Sequence, residues 1–226
     1  MKEKVYILIA GVNGAGKSTF YHSDYNIGCF FDFCDDNVLQ EMYRVNADEI
    51  LREFGDWRNT KDSMEAGRIA IKRIRNYFKE GSSFCQETTL CGRNILRNIA
   101  FAKANGYKVG IIYVGVESAE LAISRVQQRV QAGGHGVDAA DIRRRYNESF
   151  SNLNHVINSC DGVLFFDNTL AFRPVAVFDG KYLKLTTDLE QSPKWFRDNI
   201  YNRNNKILPP DKDNQNFMHY PKSPER

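Results

Sequence analysis

The sequence predicts an α/β fold in which a mainly parallel sheet carries helices on both faces, and three observations support this prediction. A continuous apolar run at residues 5–10 fits a central strand that is buried on both faces. A glycine-rich segment follows this run directly and leads into a helical pattern. Further apolar runs alternate with helical patterns up to residue 166, which is typical of parallel strands joined by crossover helices.

The remaining elements follow from local patterns along the chain. Residues 20–40 are aromatic and poorly patterned, so we interpret them as a loop or a short helical insertion. Asp179-Gly180 lies between two short apolar runs and predicts a small C-terminal β-hairpin, and an irregular tail is expected from about residue 202. Strands are predicted at 43–46, 83–86, 108–114 and 162–166, and helices from about residue 17 and at about 62–79, 92–105, 118–131 and 138–158.

Composition limits the classes of function. The chain has 226 residues and a formal net charge of +3, an excess too small to indicate a nucleic-acid or membrane partner. The chain has five cysteines, an odd number, and no two of them have Cys-x-x-Cys spacing. Both observations favour reduced thiols in a cytosolic protein over disulfides or a zinc site. The first apolar run is too short for a signal-peptide core or a membrane span. A cytoplasmic protein is therefore expected.

The glycine-rich segment matches the phosphate-binding pattern Gly-x-x-x-x-Gly-Lys-Ser. Glycines at these positions let the backbone curl so that its amides point at phosphate oxygens, and the following helix directs its positive end to the same place. Lys17 would reach the β- and γ-phosphates, and the Ser18 hydroxyl would bind Mg²⁺. The predicted cofactors are therefore ATP and Mg²⁺. The predicted ATP-binding residues are Gly11, Val12, Asn13, Gly14, Ala15, Gly16, Lys17, Ser18 and Thr19.

Other motifs restrict the kind of P-loop protein. The chain lacks the Asp-x-x-Gly and Asn-Lys-x-Asp motifs of a GTPase switch, and it lacks the Leu-Ser-Gly-Gly-Gln signature of an ABC transporter ATPase. It also has no clean apolar strand ending in a Walker-B aspartate. These absences favour a small-molecule kinase, with a P-loop NTPase-like core at 1–170 that carries a lid around 129–145. The hairpin and tail at 171–226 are expected to pack on this core or to trail from it.

Two acidic positions suggest how the acceptor is bound. Asp48 follows the second predicted strand, where a carboxylate can accept a hydroxyl proton during phosphoryl transfer, although Asn46-Ala47-Asp48 also suits a helix cap. Glu87 ends the third strand and is predicted to hold a substrate hydroxyl or a magnesium-bound water, with capping of the next helix as the alternative. Arg93 is predicted to pair with Glu87 or to face an anionic substrate. Thr88 and Thr89 complete this predicted substrate-binding group.

Arginines surround the glycine-rich break at 133–136. Arg125 and Arg129 share one helix face before the break, and three further arginines follow it at 143–145. This pattern predicts a lid that closes on developing phosphate charge, with a solvated basic face as the alternative. The predicted lid residues are Arg125, Arg129, His135 and Arg144, with Arg129 as the catalytic candidate. Asn168, after the last core strand, is predicted to contact the adenine base or to form a plain turn.

Several of these segments together resemble the zeta-toxin family of P-loop kinases, over roughly residues 5–168. The resemblance implies a bacterial toxin-like kinase that phosphorylates UDP-N-acetylglucosamine at the sugar 3′-hydroxyl and is often covered by a small antitoxin. It also implies Asp48 as the base, Lys17 as the phosphate lysine, Glu87 and Thr89 as substrate contacts, and Arg129 as a lid arginine. The matching segments are residues 11–19, Val45-Asn46-Ala47-Asp48-Glu49-Ile50, Ala66-Gly67-Arg68, Glu87-Thr88-Thr89-Leu90, Gly106-Tyr107-Lys108-Val109 and the arginine-rich lid.

Three departures from the family pattern leave the acceptor open. Cys91 and His135 stand where the toxins carry arginines, and Ile71 stands where they carry an acidic residue. Arg68 is a candidate to serve that pocket instead, with a surface role as the alternative. The acceptor is then a nucleotide-sugar, a nucleotide such as NAD or a phosphorylated metabolite. Two alternatives to a toxin-like kinase remain: a housekeeping small-molecule kinase and a module that binds ATP without transferring phosphate.

Overall fold

The computed structural model describes residues 3–35 and 38–208. Seven strands form one sheet in the order β2-β3-β1-β4-β5-β6-β7. The first five are mutually parallel, and β6 and β7 run antiparallel at one edge. The strands are β1 Val5–Ala10, β2 Tyr43–Val45, β3 Phe84–Thr88, β4 Lys108–Gly115, β5 Gly162–Asp167, β6 Arg173–Phe178 and β7 Leu183–Leu185.

Helices cover both faces of this sheet, and side-chain caps fix where several of them begin. Asn46, Asn59, Ser118 and Asp138 each accept a hydrogen bond from a backbone amide at the start of the helix that follows. The helices are α1 Lys17–Tyr21, α2 Val38–Glu41, α3 Ala47–Arg52, α4 Thr60–Glu80, α5 Arg93–Ala104, α6 Ala119–Gln131, α7 Ala139–Val156 and α8 Lys194–Asn199. Four 3₁₀ turns lie at Ile157–Ser159, Leu189–Gln191, Tyr201–Arg203 and Asn205–Ile207.

Alternate residues of β1 divide the core into two layers. Tyr6 and Leu8 pack into a cluster with residues of α4, α5 and α8. Ile7 and Ile9 pack into a second cluster with residues of α1, α2 and α6. Because β1 is buried along its whole length between these layers, it holds the segment that follows it in a fixed position at the carboxyl edge of the sheet.

The predicted α/β fold class is confirmed, with two local differences. Helix α4 begins at Thr60, two residues before the predicted Asp62, because Asn59 supplies its cap. The chain after the hairpin is more regular than expected, since α8 buries Trp195 and Phe196 in the core. The predicted hairpin is formed by β6 and β7, and β6 pairs with β5, so the hairpin extends the same sheet. Most of the predicted tail, 209–226, lies outside the described residues.

Across residues 3–35 and 38–208, no helix combines the length and the apolar character that crossing a bilayer requires.

Candidate active site

The phosphate loop joins β1 to α1, and its glycines occupy conformations that other residues avoid. Gly11, Gly14 and Gly16 have φ values of 141°, 83° and 100°. A Cβ on Gly11 would lie 2.3 Å from the Val114 carbonyl oxygen, and one on Gly14 would lie 2.4 Å from the Ala122 carbonyl oxygen. The backbone of the loop therefore packs directly against β4 and α6 and leaves no space for side chains at these positions.

Two predicted site residues support the loop from outside. The Asn168 side-chain amide donates to the Ala15 carbonyl at 2.8 Å. Arg125 in turn donates to the Asn168 and Thr169 carbonyls at 2.7 and 3.0 Å. Arg125 therefore braces the segment after β5, which is a different role from the predicted one in the lid. The predicted contact of Asn168 with adenine stays a prediction.

Lys17, Ser18 and Glu87 lie together at the mouth of the loop. The Lys17 ammonium donates to the Val12 carbonyl at 3.2 Å, and the Ser18 hydroxyl donates to a Glu87 carboxylate oxygen at 2.9 Å. Burial lowers the pKa of Lys17, and the charges of Glu87 and Asp48 oppose this shift. The ammonium thus lies in the field of both predicted substrate-side carboxylates. Thr19 is exposed on the same helix turn.

Arg44, which the sequence reasoning missed, is the partner of Glu87. Its guanidinium bonds a Glu87 carboxylate oxygen, pairs with Glu49 at 2.8 Å and lies 3.8 Å above the Tyr21 ring. The predicted pairing of Arg93 with Glu87 is therefore wrong: Arg93 is exposed at the start of α5. A charged residue inside a short strand next to a predicted ligand-binding strand is the signal that would have identified Arg44.

The turn after β3 uses local hydrogen bonds. The Thr88 hydroxyl accepts from the Leu90 amide at 2.9 Å, and Leu90 is buried with a φ of 58°. This turn keeps Thr89 half-buried at the carboxyl end of the strand. The amide of Gly92 donates to Glu148 at 2.7 Å, so Glu148, rather than Glu87, caps the start of α5.

A cavity of about 530 Å³ opens beside the phosphate loop. The loop contributes Asn13 to its lining, and α3 contributes Asp48. The Asp48 carboxylate lies 3.5 Å from His135 Nε2, and the Asp48 side chain is 39% exposed. The side chains that matter for the chemistry of the cavity are Asn13, Asp48, Trp57, Ser63, His135 and Arg145.

The loop that was predicted to be a lid contributes residues 135–138 to the lining of this cavity, and Arg129 of α6 anchors it. The Arg129 Nε donates to the His135 carbonyl at 2.7 Å, while its Nη2 is buried with no hydrogen-bond partner among the described residues. Burial lowers the pKa of both Arg129 and His135, and the charge of Asp48 opposes both shifts. His135 also lies 5.8 Å from the Trp57 ring, centroid to centroid. The Arg129 Nη2 is therefore a cationic donor without a hydrogen-bond partner among the described residues, and it lies in the field of the Asp48 carboxylate.

Of the arginines at the start of α7, Arg145 faces the site. Its guanidinium donates to the Asn13 side-chain carbonyl at 2.9 Å and lines the cavity. Arg144 was the predicted lid residue, but it is exposed and pairs with Asp141 at 2.9 Å and Glu148 at 2.7 Å. The helical rotation of about 100° per residue sends these neighbours in different directions, and the sequence did not show which one points inward.

The structure does not bring Arg68 to the cavity. Its side chain is 68% exposed on α4 and pairs with Glu65 at 3.2 Å. Other residues of the same helix, Thr60, Ser63 and Ala66, line the cavity instead. The surface role that was the alternative for Arg68 is therefore what the structure shows.

Comparisons with known proteins place this geometry in a structural class. No protein-family model matches the chain. An uncharacterised protein of Haemophilus influenzae is 29% identical over 140 residues, which are 62% of this chain and 91% of that protein. A structure from the PezAT chromosomal toxin–antitoxin system of Streptococcus pneumoniae matches with a TM-score of 0.51 and 16% identity, over 76% of this chain and 72% of that chain.

A structure of the AvrRxo1-ORF1:-ORF2 complex with ATP also matches, with a TM-score of 0.59 and 16% identity. The match covers 81% of this chain and 60% of that chain, so this protein spans about three fifths of the length of its AvrRxo1 neighbour. The chain therefore shares the fold of these two structures. The resemblance to the zeta-toxin family seen in the sequence is thereby confirmed at the level of the fold.

The residues of the phosphate loop and its neighbours fit a nucleoside triphosphate and a magnesium ion. The left-handed glycines give the loop the curled backbone of a phosphate cradle, and the buried Arg129 Nη2, without a hydrogen-bond partner among the described residues, is a donor suited to an anion. The Ser18 hydroxyl and the Glu87 carboxylate supply the oxygen ligands that Mg²⁺ prefers. No group of three or more His, Cys, Asp or Glu side chains in the described ranges forms a metal cage, so a magnesium ion here would depend on substrate phosphates as well.

Proposed function

We propose that this protein is an ATP-dependent phosphotransferase that transfers the γ-phosphate of ATP to a hydroxyl group of a small molecule. The observation that carries this proposal is the shared cavity, which is lined both by Asn13 of the phosphate loop and by Asp48 of α3. Its volume of about 530 Å³ suits a small-molecule acceptor, since such sites measure roughly 300–1,000 Å³. The similarity of the fold to a complex containing ATP supports the choice of nucleotide.

The proposed reaction assigns one task to each side chain. The oxygen of the acceptor hydroxyl bonds to the γ-phosphorus while Asp48 accepts the proton of that hydroxyl. The bond between the γ-phosphorus and the β–γ bridging oxygen breaks, which releases ADP. Lys17 and Arg129 neutralise the charge that develops on the transferred group, and Arg145 positions Asn13 at the loop. When bound, Mg²⁺ supplies further charge neutralisation at the phosphate oxygens. The glycine cradle holds the phosphates in line with the acceptor.

The lining of the cavity is mixed in charge and carries one aromatic ring. Trp57 supplies the ring, Arg58 and Arg145 supply cations, and Asp48, Asp138 and Asp141 supply carboxylates. We propose a nucleotide-sugar of the UDP-N-acetylglucosamine type as the first acceptor to test, with a housekeeping nucleotide or small-molecule substrate as the alternative. Because structures of toxin–antitoxin complexes share the fold, we also propose an antitoxin-like protein partner and a cytoplasmic location, where ATP is available.

A transfer assay tests the proposal. The protein is incubated with γ-labelled ATP, magnesium and a panel of UDP-sugars, NAD and simple sugars. We expect label on one acceptor, and a loss on the order of 10²–10⁴-fold in Asp48→Asn, which keeps the size of the side chain but removes the base. Lys17→Ala is expected to lose ATP turnover altogether. Arg68→Ala, a change of an exposed arginine outside the cavity, should behave like the wild type.

The same assay separates the competing functions. Turnover of ATP that labels no acceptor and is unchanged in Asp48→Asn would contradict phosphotransfer and would favour a nucleotide-binding module. Label on a simple sugar or nucleotide, but on no UDP-sugar, would favour the housekeeping kinase. Growth arrest on expression in bacteria, relieved by Lys17→Ala, would support the toxin-like function.

A further inference from the structure

A second cavity, of about 580 Å³, lies between the C-terminal half of α4 and helix α5. None of its lining residues belongs to the cavity that contains Asp48. Its apolar surface comes from Ile71, Ile74, Phe78 and Phe101, and two of these large side chains are strongly exposed: Ile71 by 39% and Phe101 by 49%. Exposed apolar side chains that meet in one groove mark an interaction surface more often than scattered ones do.

The rim of this α4–α5 groove carries charge of one sign. Arg75, Lys79 and Arg97 line it, and the other polar lining residues are Asn94 and Asn98. No acidic residue lines the groove, and within the described part of the chain none of the three cations takes part in an ion pair. Other arginines of α4 are paired, since Arg68 contacts Glu65 and Arg73 contacts Glu53. Arg75, Lys79 and Arg97 therefore give the groove a rim of one charge sign.

We propose that the α4–α5 groove docks an amphipathic helix of a partner protein whose apolar stripe is flanked by aspartate or glutamate residues. Two helices form the walls, and a third helix packs into such a groove through ridges and furrows at a separation of about 8–10 Å. The apolar stripe covers Ile71, Phe78 and Phe101, while its flanking carboxylates meet the rim cations. The Asn94 amide, at the exposed start of α5, supplies a further donor for these carboxylates.

The charge pattern selects this partner over other apolar ligands. A helix flanked by lysines would meet three like charges, and complementary charges at an interface fix both partner choice and register. An extended strand would instead seek the sheet edge, which lies outside this groove. The proposal does not depend on phosphotransfer, because the groove shares no residue with the catalytic cavity.

Two designed peptides of roughly 18 residues, or about five helical turns, provide the test. Both have the same leucine stripe; one carries glutamates and the other lysines on either side of it. Fluorescence anisotropy measures binding to the full-length protein at low and at high salt. We expect the acidic peptide to bind at least tenfold more tightly, and salt to weaken that preference. Ile71→Asp should abolish binding, because it places a charge in the apolar floor.

Charge reversal locates the contact. The double variant Arg75→Glu/Arg97→Glu should invert the preference, so that the lysine peptide binds more tightly than the glutamate peptide. Lys61→Glu/Lys72→Glu makes the same change of net charge on exposed cations of α4 that do not line the groove, and it should keep the wild-type preference. Thermal melting and ATP binding show whether each variant remains folded.

Three results would overturn the proposal. One is equal binding of the two peptides. Another is a preference that changes as much in the Lys61/Lys72 variant as in the Arg75/Arg97 variant, which would reduce the effect to net charge. The third is binding of the wild type to vesicles of anionic lipid that Ile71→Asp removes while neither peptide binds, which would assign the groove to a membrane surface.

Discussion

The two walls of the candidate active site are built in different ways. The phosphate wall consists of backbone: glycines with positive φ pack against Val114 and Ala122, and Asn168 bonds the Ala15 carbonyl. The proposed acceptor wall consists of side chains brought together from α3, the loop at 132–138 and α7. Its contacts join Asp48 to His135 at 3.5 Å and Arg145 to Asn13 at 2.9 Å.

This difference separates binding from selectivity. A backbone cradle that is fixed between buried strands and helices keeps its shape whatever the acceptor is, so it suits the invariant part of the reaction, the grip on phosphate. Half-exposed side chains on separate elements change one at a time at little cost to stability, so they suit the choice of acceptor. Substitutions in the phosphate wall should therefore affect nucleotide binding, and substitutions in the acceptor wall should affect transfer alone.

The largest expected effect is on the phosphate wall, in Gly14→Ala. The new Cβ would lie 2.4 Å from the Ala122 carbonyl at a φ of 83°. Backbone strain of about 1–2 kcal/mol and overpacking of about 1–3 kcal/mol together predict an ATP affinity lower by on the order of 10²–10³-fold. Calorimetric titration with ATP measures this. Gly106→Ala is the matched control, because Gly106 has a φ of 75° but no atom within 4 Å of the position that a Cβ would take; equal losses in both variants would contradict packing as the cause.

Arg44→Gln tests the buried ion pair between Arg44 and Glu87, which links the phosphate loop, through Ser18, to α3, through Glu49. Glu87 and Arg44 are 6% and 12% exposed, so removing the guanidinium leaves a buried carboxylate without its partner. We expect unfolding to become easier by about 3 kcal/mol, the lower end for a broken buried ion pair, because Glu87 keeps its bond from Ser18. Denaturant titration measures the change. The double variant Arg44→Gln/Glu87→Gln should recover part of that loss; a double variant that sums the two single losses would show that the pair is not coupled.

Arg145→Ala compared with Arg144→Ala tests the acceptor wall. Arg145 touches the phosphate loop through Asn13, whereas Arg144 makes only exposed ion pairs. Loss of a positioned cation at a phosphate site predicts a fall in kcat of up to about 10²-fold for Arg145→Ala, with ATP binding retained. Arg144→Ala should stay within about twofold, because exposed ion pairs contribute little. Steady-state transfer rates measure both, and the reverse ranking would refute the assignment of Arg145 to the site.

The two walls also differed in how far the sequence predicted them. The phosphate loop follows from local sequence, since a buried strand, spaced glycines and a helix start define its geometry within about fifteen residues of chain. Asp48 was identified because it directly follows a strand. Arg44 was missed and the pairing of Arg93 with Glu87 was wrongly predicted, because which cation reaches Glu87 depends on the pairing of β2 with β3, which is a tertiary contact. That Arg93 faces an anionic substrate stays a prediction. Similarly, α8 is too short for periodicity to reveal, and burial of Trp195 fixes it.

The smallest expected effect is a pH dependence of stability that arises from His135 on the acceptor wall. Burial lowers its pKa below the ordinary value near 6.5, and the neighbouring charges of Arg129, Arg52 and Arg145 act in the same direction, against that of Asp48. At a pH above the ordinary pKa, His135 is neutral in both the folded and the unfolded protein. As the pH falls below the ordinary pKa, the unfolded chain binds the proton first, so folding stability falls until the pH reaches the lower pKa of the folded state. Between pH 8 and 5, the melting temperature should therefore decline less in His135→Gln than in the wild type. The corresponding difference in the free energy of unfolding is expected to be under about 1 kcal/mol. His155→Gln, a change of an exposed histidine, should leave the wild-type decline in place, and an equal decline in all three proteins would exclude His135 as its source.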